Sequence, residues 1–241
     1  MSNRIVLCAI FFYFFSDQIN AQCVSAGPNS PSTIVNDASG GVLAWSNTGD
    51  VVTSNDDHAF ATTIVFGGLT NFLNTTGYGF SIPTSAFICG IKVEVEKMDS
   101  GLLFEGVDDE TISLLKGGTA VGNNLANTDK WPDADSYVTY GGNTDLWGTT
   151  WTPAEINSAN FGVTIQADLA FNISLFTSAS IDHIRISVYY DNSLPIELLD
   201  FNAQRVSDDL VEVLWSTVTE TDNDFFTVER SIDGHNWTIR G

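Results

Sequence analysis

Five carboxylates crowd one short segment of the chain and could together bind a cation. They are Asp99, Glu105, Asp108, Asp109 and Glu110. Calcium takes about six to eight oxygen ligands, and an acidic loop can supply them. The spacing is not that of an EF-hand, so a solvated acidic loop without a fixed ion is the alternative. We predict no obligatory cofactor, with calcium as the single candidate. Asp133, Asp135 and Asp145 form a second, looser set of possible ligands.

Aromatic side chains in a second polar segment could stack on sugar rings. Trp131, Tyr137 and Tyr140 are the candidates, and Trp131 is predicted to be the most exposed. An aromatic ring buries the apolar face of a sugar while its polar neighbours bind hydroxyl groups. Trp147 and Trp151 are predicted to fill the core beneath the loop instead, because Trp is highly buried on average.

Glu94 and Glu96 lie on one side of a predicted strand, roughly 7 Å apart by strand rise. Glycosidases use carboxylate pairs at comparable separations. These two residues alternate regularly with apolar ones, so a solvent-facing row of charges is the favoured interpretation. The sequence contains no Gly-x-Ser-x-Gly, His-Glu-x-x-His or phosphate-binding glycine motif, and we predict that the protein is not an enzyme.

Two cysteines, Cys23 and Cys89, follow the first 21 residues. In an exported protein they could form a disulfide that ties the N-terminal arm to a core strand. The alternative is a buried thiol at Cys89 beside a flexible Cys23, and the sequence leaves both open. The three histidines show no metal-ligand spacing.

Residues 1–21 have the pattern of a secretory signal peptide, with Arg4, a short apolar run and a polar end. The run is shorter than the ~20 residues that span a membrane, and we predict no membrane span after its removal. The net charge of −21 and the nine Lys and Arg residues exclude a nucleic-acid partner. We therefore expect the protein to be secreted or held at the cell surface.

The elements that must position these side chains are strands. Apolar and polar residues alternate over 91–96, 161–166 and 183–189, with turn-forming residues between such segments. This predicts an all-β fold, an antiparallel, jelly-roll-like β-sandwich over residues 22–193. A further strand is expected around Gly41–Trp45, and long polar loops at 99–111 and 120–146. Thr152 is predicted to cap a single helical turn that begins at Pro153.

A polar stretch with a proline, 191–195, marks the expected domain boundary. After it, 194–201 reads Leu-Pro-Ile-Glu-Leu-Leu-Asp-Phe, 211–217 reads Val-Glu-Val-Leu-Trp-Ser-Thr, and 226–234 reads Phe-Thr-Val-Glu-Arg-Ser-Ile-Asp-Gly. Residues 194–241 resemble the first half of the fibronectin-III-like module that secreted Bacteroidetes proteins carry before a type IX secretion sorting domain. The resemblance implies the type IX export machinery as a partner, through a sorting domain missing from this chain.

The preceding domain carries a second resemblance. Its residues are Gly-Phe-Ser-Ile-Pro at 79–83, the strand 88–96, Tyr-Gly-Gly-Asn-Thr-Asp-Leu-Trp-Gly at 140–148, and Asp-His-Ile-Arg-Ile-Ser-Val-Tyr-Tyr at 182–190. Residues 32–192 are similar to a β-sandwich module of bacterial secreted and phage-associated surface proteins. This resemblance implies architecture and location but no reaction.

Taken together, these features favour an exported, non-enzymatic surface or secreted module for adhesion or ligand binding. An extracellular glycan or protein is the expected partner. The alternative is a carbohydrate-binding accessory domain of a larger secreted hydrolase.

Overall fold

A computed structural model describes most of the chain after residue 22. The described residues are 23–63, 67–99, 106–169, 177–192, 198–207, 210–217, 229–231 and 235–239. The predicted signal peptide, residues 1–21, and Glu105 of the predicted acidic loop lie outside them. The chain divides into two compact units, of which Cys23–Asn192 is one, and the strands after Ser193 belong to the other.

The first unit consists of strands joined by turns and loops, with one 3₁₀ turn at Thr48–Val51 and one helical turn, α1, at Pro153–Ile156. In chain order the strands are β1 (Val24–Asn29), β2 (Thr33–Asp37), β3 (Ala59–Thr63), β4 (Gly68–Leu69), β5 (Phe72–Thr76), β6 (Phe87–Asp99), β7 (Val107–Lys116), β8 (Thr119–Val121), β9 (Ser136–Gly141), β10 (Gly162–Leu169) and β11 (Thr177–Asp191).

These strands form two antiparallel sheets. The first has the order β1-β11-β6-β9, and β3 also pairs with β11. The second has the order β2-β5-β10-β7-β8, and β4 also pairs with β10. Most neighbours in the sheets are distant in sequence, so the fold depends on long-range pairing.

The core lies between the two sheets. Alternate apolar side chains of β6 and β11 are fully buried and share one hydrophobic cluster with those of β5, β7 and β10. Burying each such side chain stabilises the fold by about 1.5–3 kcal/mol. The members are Ile91, Val93, Val95, Ile184, Ile186 and Val188 from the first sheet and Leu73, Ile112, Leu114, Val163 and Ile165 from the second. The predicted all-β, antiparallel sandwich is therefore confirmed.

The connection from β9 to β10 contains the helical turn that the sequence predicted, capped by Thr152. The Thr152 side chain accepts a hydrogen bond from the Glu155 N–H, and the Glu155 carboxylate accepts one from the Thr152 N–H, so α1 begins with a complete capping box. Trp147 and Trp151 are buried, as predicted. The Trp147 indole donates to the Ile91 carbonyl at 2.9 Å, which anchors this connection to β6.

Three sequence predictions about elements were wrong. No regular strand forms at Gly41–Trp45; there, Leu43 makes an isolated bridge to Thr70. The segment 120–146 contains β9, which extends the first sheet by pairing with β6. The segment 99–111 already contains the start of β7. In the last two cases the strand is rich in charged and polar residues, which are typical of a loop. Its buried polar side chains form hydrogen bonds or ion pairs with residues of other strands.

In the second unit, β12 (Leu198–Arg205) pairs antiparallel with β13 (Val211–Thr217), and β14 (Glu229–Ser231) pairs antiparallel with β15 (Trp237–Ile239). Val213 and Trp215 are the more buried side chains of β13, in keeping with the alternation of that strand. The predicted hairpin turn at Asp233 and Gly234 lies outside the described residues.

Candidate functional site

The outer face of the first sheet carries a polar network that starts from the alternation of β6. While the apolar residues of β6 point into the core, Glu94 and Glu96 point away from it. Glu96 lies opposite Tyr137 of β9 on one side and His183 of β11 on the other. Arg185 lies opposite Glu94. Strand pairing thus brings four kinds of polar group together across three strands.

A β-bulge in β11 adds a carboxylate to this face. The register of β11 against β6 shifts between Ile181 and His183, so Asp182 is an extra residue without a partner on β6. Its side chain is almost fully buried, and both carboxylate oxygens accept from the Asn55 N–H, at 3.2 and 3.1 Å. Val52 forms a bridge to His183. The bulge therefore attaches the segment that follows Thr48–Val51 to the sheet.

His183 has a partner on each ring nitrogen. Nδ1 lies 2.7 Å from the Tyr137 hydroxyl, and Nε2 lies 2.8 Å from the Ser30 hydroxyl. Burial, followed by the positive charge of Arg185, lowers the pKa of His183 below its usual value of 6.5. The imidazole is therefore neutral at pH 7, with one nitrogen donating and the other accepting.

Glu94 is paired rather than solvated. The Arg185 guanidinium donates to both of its carboxylate oxygens at 3.2 Å, and the Lys92 ammonium lies 3.1 Å away. Burial alone would raise the pKa of Glu94, but the hydrogen bonds from Arg185 and Lys92 outweigh it and the pKa is lowered. Arg185 also stacks on Tyr137, 3.9 Å from the ring centroid. The predicted solvent-facing row of charges is wrong at Glu94, because Arg185 covers it.

Next to this network, Asp56, Asp135 and Asp182 bring carboxylate oxygens within 4.8 Å of one another. His58 Nε2 lies 2.8 Å from one oxygen of Asp135. These three residues could hold a hard cation such as calcium, although they supply only part of its oxygen shell. Like charges at this separation repel, so a cation or a hydrogen-bond donor placed among them would be stabilised.

Two buried carboxylate oxygens of the outer face have no hydrogen-bond partner among the described residues. They are Oδ1 of Asp135 and Oε2 of Glu96. A buried acceptor left unpaired costs about 1–3 kcal/mol. We call the set formed by Asp56, Asp135, Asp182, Glu96 and His183 the bulge site.

The predicted acidic loop does not assemble as a cation site in the described structure. Asp99 Oδ2 accepts from the Val107 N–H at 3.2 Å, and Asp108 pairs with Lys130 at 2.8 Å. Asp109 turns into the core, whereas Glu110 is exposed. Within the described ranges, Asp56, Asp135 and Asp182 are the one group of acidic residues whose carboxylate oxygens all lie within 4.8 Å of one another. Because successive side chains of β7 point in opposite directions, the Asp109 side chain lies away from those of Asp108 and Glu110.

Two of the three predicted sugar-stacking residues are buried. Trp131 and Tyr140 are each 3% exposed, so the prediction that Trp131 is exposed was wrong. The Trp131 indole donates to Asp109 Oδ1 at 2.8 Å, and this bond draws the ring into the core. Tyr137 alone of the three lies on the outer face.

Trp131 and Tyr140 surround a buried ion pair between Lys97 and Asp109. We call these four residues the inner cluster. The Lys97 ammonium lies 2.5 Å from Asp109 Oδ1, and both side chains are almost inaccessible to solvent. It donates to the Tyr140 hydroxyl at 2.5 Å, and this hydroxyl donates to Asp109 Oδ2 at 2.6 Å. Burial lowers the pKa of Lys97 against the opposing effect of Asp109, and burial raises the pKa of Tyr140.

A disulfide joins Cys23, directly before β1, to Cys89 of β6. Of the two alternatives left open by the sequence, the structure contains the covalent one. It fixes the N-terminal arm at the end of the first sheet, away from the bulge in β11. Across the described residues, no helix is long and apolar enough to cross a membrane.

Comparison with known proteins adds little to this site. No known family matches the chain, and no curated protein matches it either. One solved structure to which the chain is similar is the N-terminal cellulose-binding domain of a β-1,4-glucanase C from Cellulomonas fimi. It is 12% identical, with a TM-score of 0.32, over 70% of this chain and 99% of that domain.

Proposed function

We propose that the protein is an exported, non-enzymatic β-sandwich module that binds an extracellular ligand at the bulge site. The observation that carries this proposal is a pair of buried carboxylate oxygens, on Asp135 and Glu96, that have no hydrogen-bond partner in the described part of the chain. Among the described residues, the Thr177 hydroxyl of the same sheet is also buried without a partner, but the two carboxylate oxygens belong to one cluster of acidic groups on the outer face. A ligand that donates hydrogen bonds there would remove their cost.

The charge of the site limits the class of ligand. Asp56, Asp135 and Asp182 crowd together, and the lowered pKa of His183 keeps its ring neutral at pH 7. An anionic ligand would meet this negative surface on a chain whose net charge is −21. We therefore propose a hydroxyl-rich glycan or a cationic group of a surface protein.

The bonding of His183 favours binding over catalysis. Ser30 and His183 have the contact of a nucleophile and its base, at 2.8 Å. In hydrolases that use such a pair, a carboxylate on the other nitrogen stabilises the imidazolium. Here the partner is the hydroxyl of Tyr137, and burial together with Arg185 disfavours the imidazolium. The pair is better suited to hold a donor or acceptor than to take up a proton.

The accessory-domain alternative has weaker support from the side chains. Sugar stacking would depend on Tyr137, since Trp131 and Tyr140 are buried. One face of the Tyr137 ring is already covered by Arg185. A glycan at the bulge site would be held mainly through its hydroxyl groups.

Export through a signal peptide, and delivery by type IX machinery through the module that begins near Leu194, belong to the same proposal. The paired strands β12 and β13 are compatible with a small second sandwich. A mature protein whose N-terminal sequence begins near Gln22 is the expected product. A mature protein that retains residues 1–21 would contradict export by this route.

A binding screen with the mature chain tests the ligand proposal. We expect a hit on a glycan array, or among polyamines and basic peptides, that weakens at least about tenfold in Asp135→Asn, or roughly 1.4 kcal/mol. Asp129→Asn is the matched control, because Asp129 is an exposed carboxylate outside the bulge site. Binding that is equal in both variants would place the ligand elsewhere, and ester hydrolysis lost in Ser30→Ala would refute the non-enzymatic function.

A further inference from the structure

The inner cluster holds an amine and a carboxylate in contact inside the core. Lys97 belongs to β6 of the first sheet and Asp109 to β7 of the second, so their side chains meet across the sandwich. The two side chains are 2% and 0% exposed. Water, the usual competitor for either group, is excluded from this contact.

We propose that Lys97 and Asp109 condense after folding into an isopeptide bond that links the two sheets covalently. The bond forms between Lys97 Nζ and Asp109 Cγ, while the bond between Cγ and Oδ2 breaks. One water molecule leaves, and neither carbon nor nitrogen is oxidised or reduced. This linkage is independent of the bulge site and of the proposed ligand.

The first requirement is a neutral amine facing a neutral carboxylic acid. Burial lowers the pKa of Lys97, which favours loss of its proton. Passing that proton to Asp109 replaces two charges by two neutral groups, and an isolated charge in a dry interior is strongly penalised. The free amine is then the nucleophile, as for lysines that are activated by desolvation.

The second requirement is stabilisation of the charge that develops on the carbonyl oxygen. When nitrogen attacks Cγ, negative charge builds up on Oδ1. The Trp131 N–H already points at this atom from 2.8 Å. A fixed donor at the oxygen where charge develops lowers the barrier, because it needs no reorganisation during the reaction.

The third requirement is a route for the proton from nitrogen to the leaving oxygen. Lys97 Nζ donates to the Tyr140 hydroxyl at 2.5 Å, and the Tyr140 hydroxyl donates to Asp109 Oδ2 at 2.6 Å. Tyr140 can accept the amine proton as it gives its own to Oδ2, so Oδ2 leaves as water. Burial raises the pKa of Tyr140, so it acts as a neutral relay and never as a phenolate.

Mass spectrometry of the folded mature chain tests this proposal directly. We expect the intact mass to fall short of the sequence mass by one water, in addition to the two hydrogens lost to the disulfide. Protease digestion should yield one branched peptide that contains both Lys97 and Asp109. An intact mass without the water loss and separate peptides for the two residues, in a sample shown to be folded, would overturn the proposal.

Four variants test the chemistry of the linkage. Asp109→Asn should reach the same linked mass as the unchanged chain, because the amide loses ammonia in place of water. Tyr140→Phe removes the relay and should leave an unlinked fraction that converts slowly, whereas Tyr137→Phe, on the outer face, should link fully. A linked mass in Lys97→Arg would also contradict the assignment, since that variant lacks the nucleophile.

Discussion

The inner cluster and the bulge site lie on opposite faces of the same sheet and use similar residues. A cation stacks on an aromatic ring in the first and beside the second: Lys97 is 4.4 Å from the Trp131 ring centroid, and Arg185 is 3.9 Å from that of Tyr137. A tyrosine of β9 is present at both places, Tyr140 in the inner cluster and Tyr137 beside the bulge site. Residue type therefore does not separate a structural cluster from a binding site.

The difference lies in how completely the polar atoms are paired. Inside, Lys97, Asp109, Tyr140 and Trp131 bond to one another. Outside, Asp135 and Glu96 each keep one buried oxygen without a partner among the described residues. A closed network resists change and is costly to break, whereas an open one has acceptors available for a ligand. Mutations in the inner cluster should therefore lower stability, and mutations in the bulge site should weaken ligand binding.

The largest expected effect is at the inner cluster. Asp109→Ala should lower the free energy of unfolding by at least about 3–5 kcal/mol, because it leaves Lys97 buried without a counter-charge and also prevents the proposed link. Asp108→Ala is the matched control, since Asp108 pairs with Lys130 near the surface, and it should cost at most about 1 kcal/mol. Urea denaturation measures both. Similar losses in the two variants would mean that burial does not distinguish the inner cluster from an ion pair near the surface.

A smaller effect is expected at the outer ion pair. Arg185→Gln should cost about 0.5–1 kcal/mol, because Glu94 and Arg185 keep partial contact with water. The lowered pKa of Glu94 means that its contribution is present above the unfolded value near 4.5 and is lost as the pH falls through the folded value. Denaturation at pH 7 and pH 3 should show a smaller difference in the variant. A loss as large as that of Asp109→Ala would contradict the comparison.

The smallest effect is a pH dependence at His183. Because its folded pKa lies below 6.5, the unfolded chain takes up a proton first as the pH falls. The contribution of His183 is thus complete above about pH 6.5 and declines below it. His183→Gln should flatten the dependence of unfolding free energy on pH between about 7 and 5. A slope unchanged from the parent chain would remove His183 as its source.

The sequence predicted the sandwich because alternation is a local signal. Ile91, Val93 and Val95 revealed the inward face of β6, but the same spacing continued by one step places Lys97 inside the core. A charged residue at that position hides the continuation unless its partner is known. The partner, Asp109, stood in an acidic run that is typical of a loop, so its inward direction was missed.

The bulge site was less accessible to prediction. Asp135 belonged to an acidic segment and His183 to a predicted strand. No sequence pattern links either residue to Asp56, which is far from both along the chain. The one trace of the bulge is a change of apolar spacing from two to three between Ile181 and Ile184. The contact of Asn55 with Asp182 joins residues that are far apart in the sequence and depends on the tertiary fold. No local pattern in the sequence reveals such a contact.

The disulfide also determines how the first unit would respond to pulling. β1 begins beside the end of β11, where Val24 lies opposite Tyr190, so the chain enters and leaves the sandwich at one corner. Tension between these two points would peel β1 away one hydrogen bond at a time, starting at Val24. The bond from Cys23 to Cys89 transfers that load to β6, which itself pairs with β11 at Tyr190. The corner is therefore closed covalently, and a force along the chain acts on the ends of β6 and β11 near Cys89 and Tyr190, away from the part of these strands that carries the bulge site.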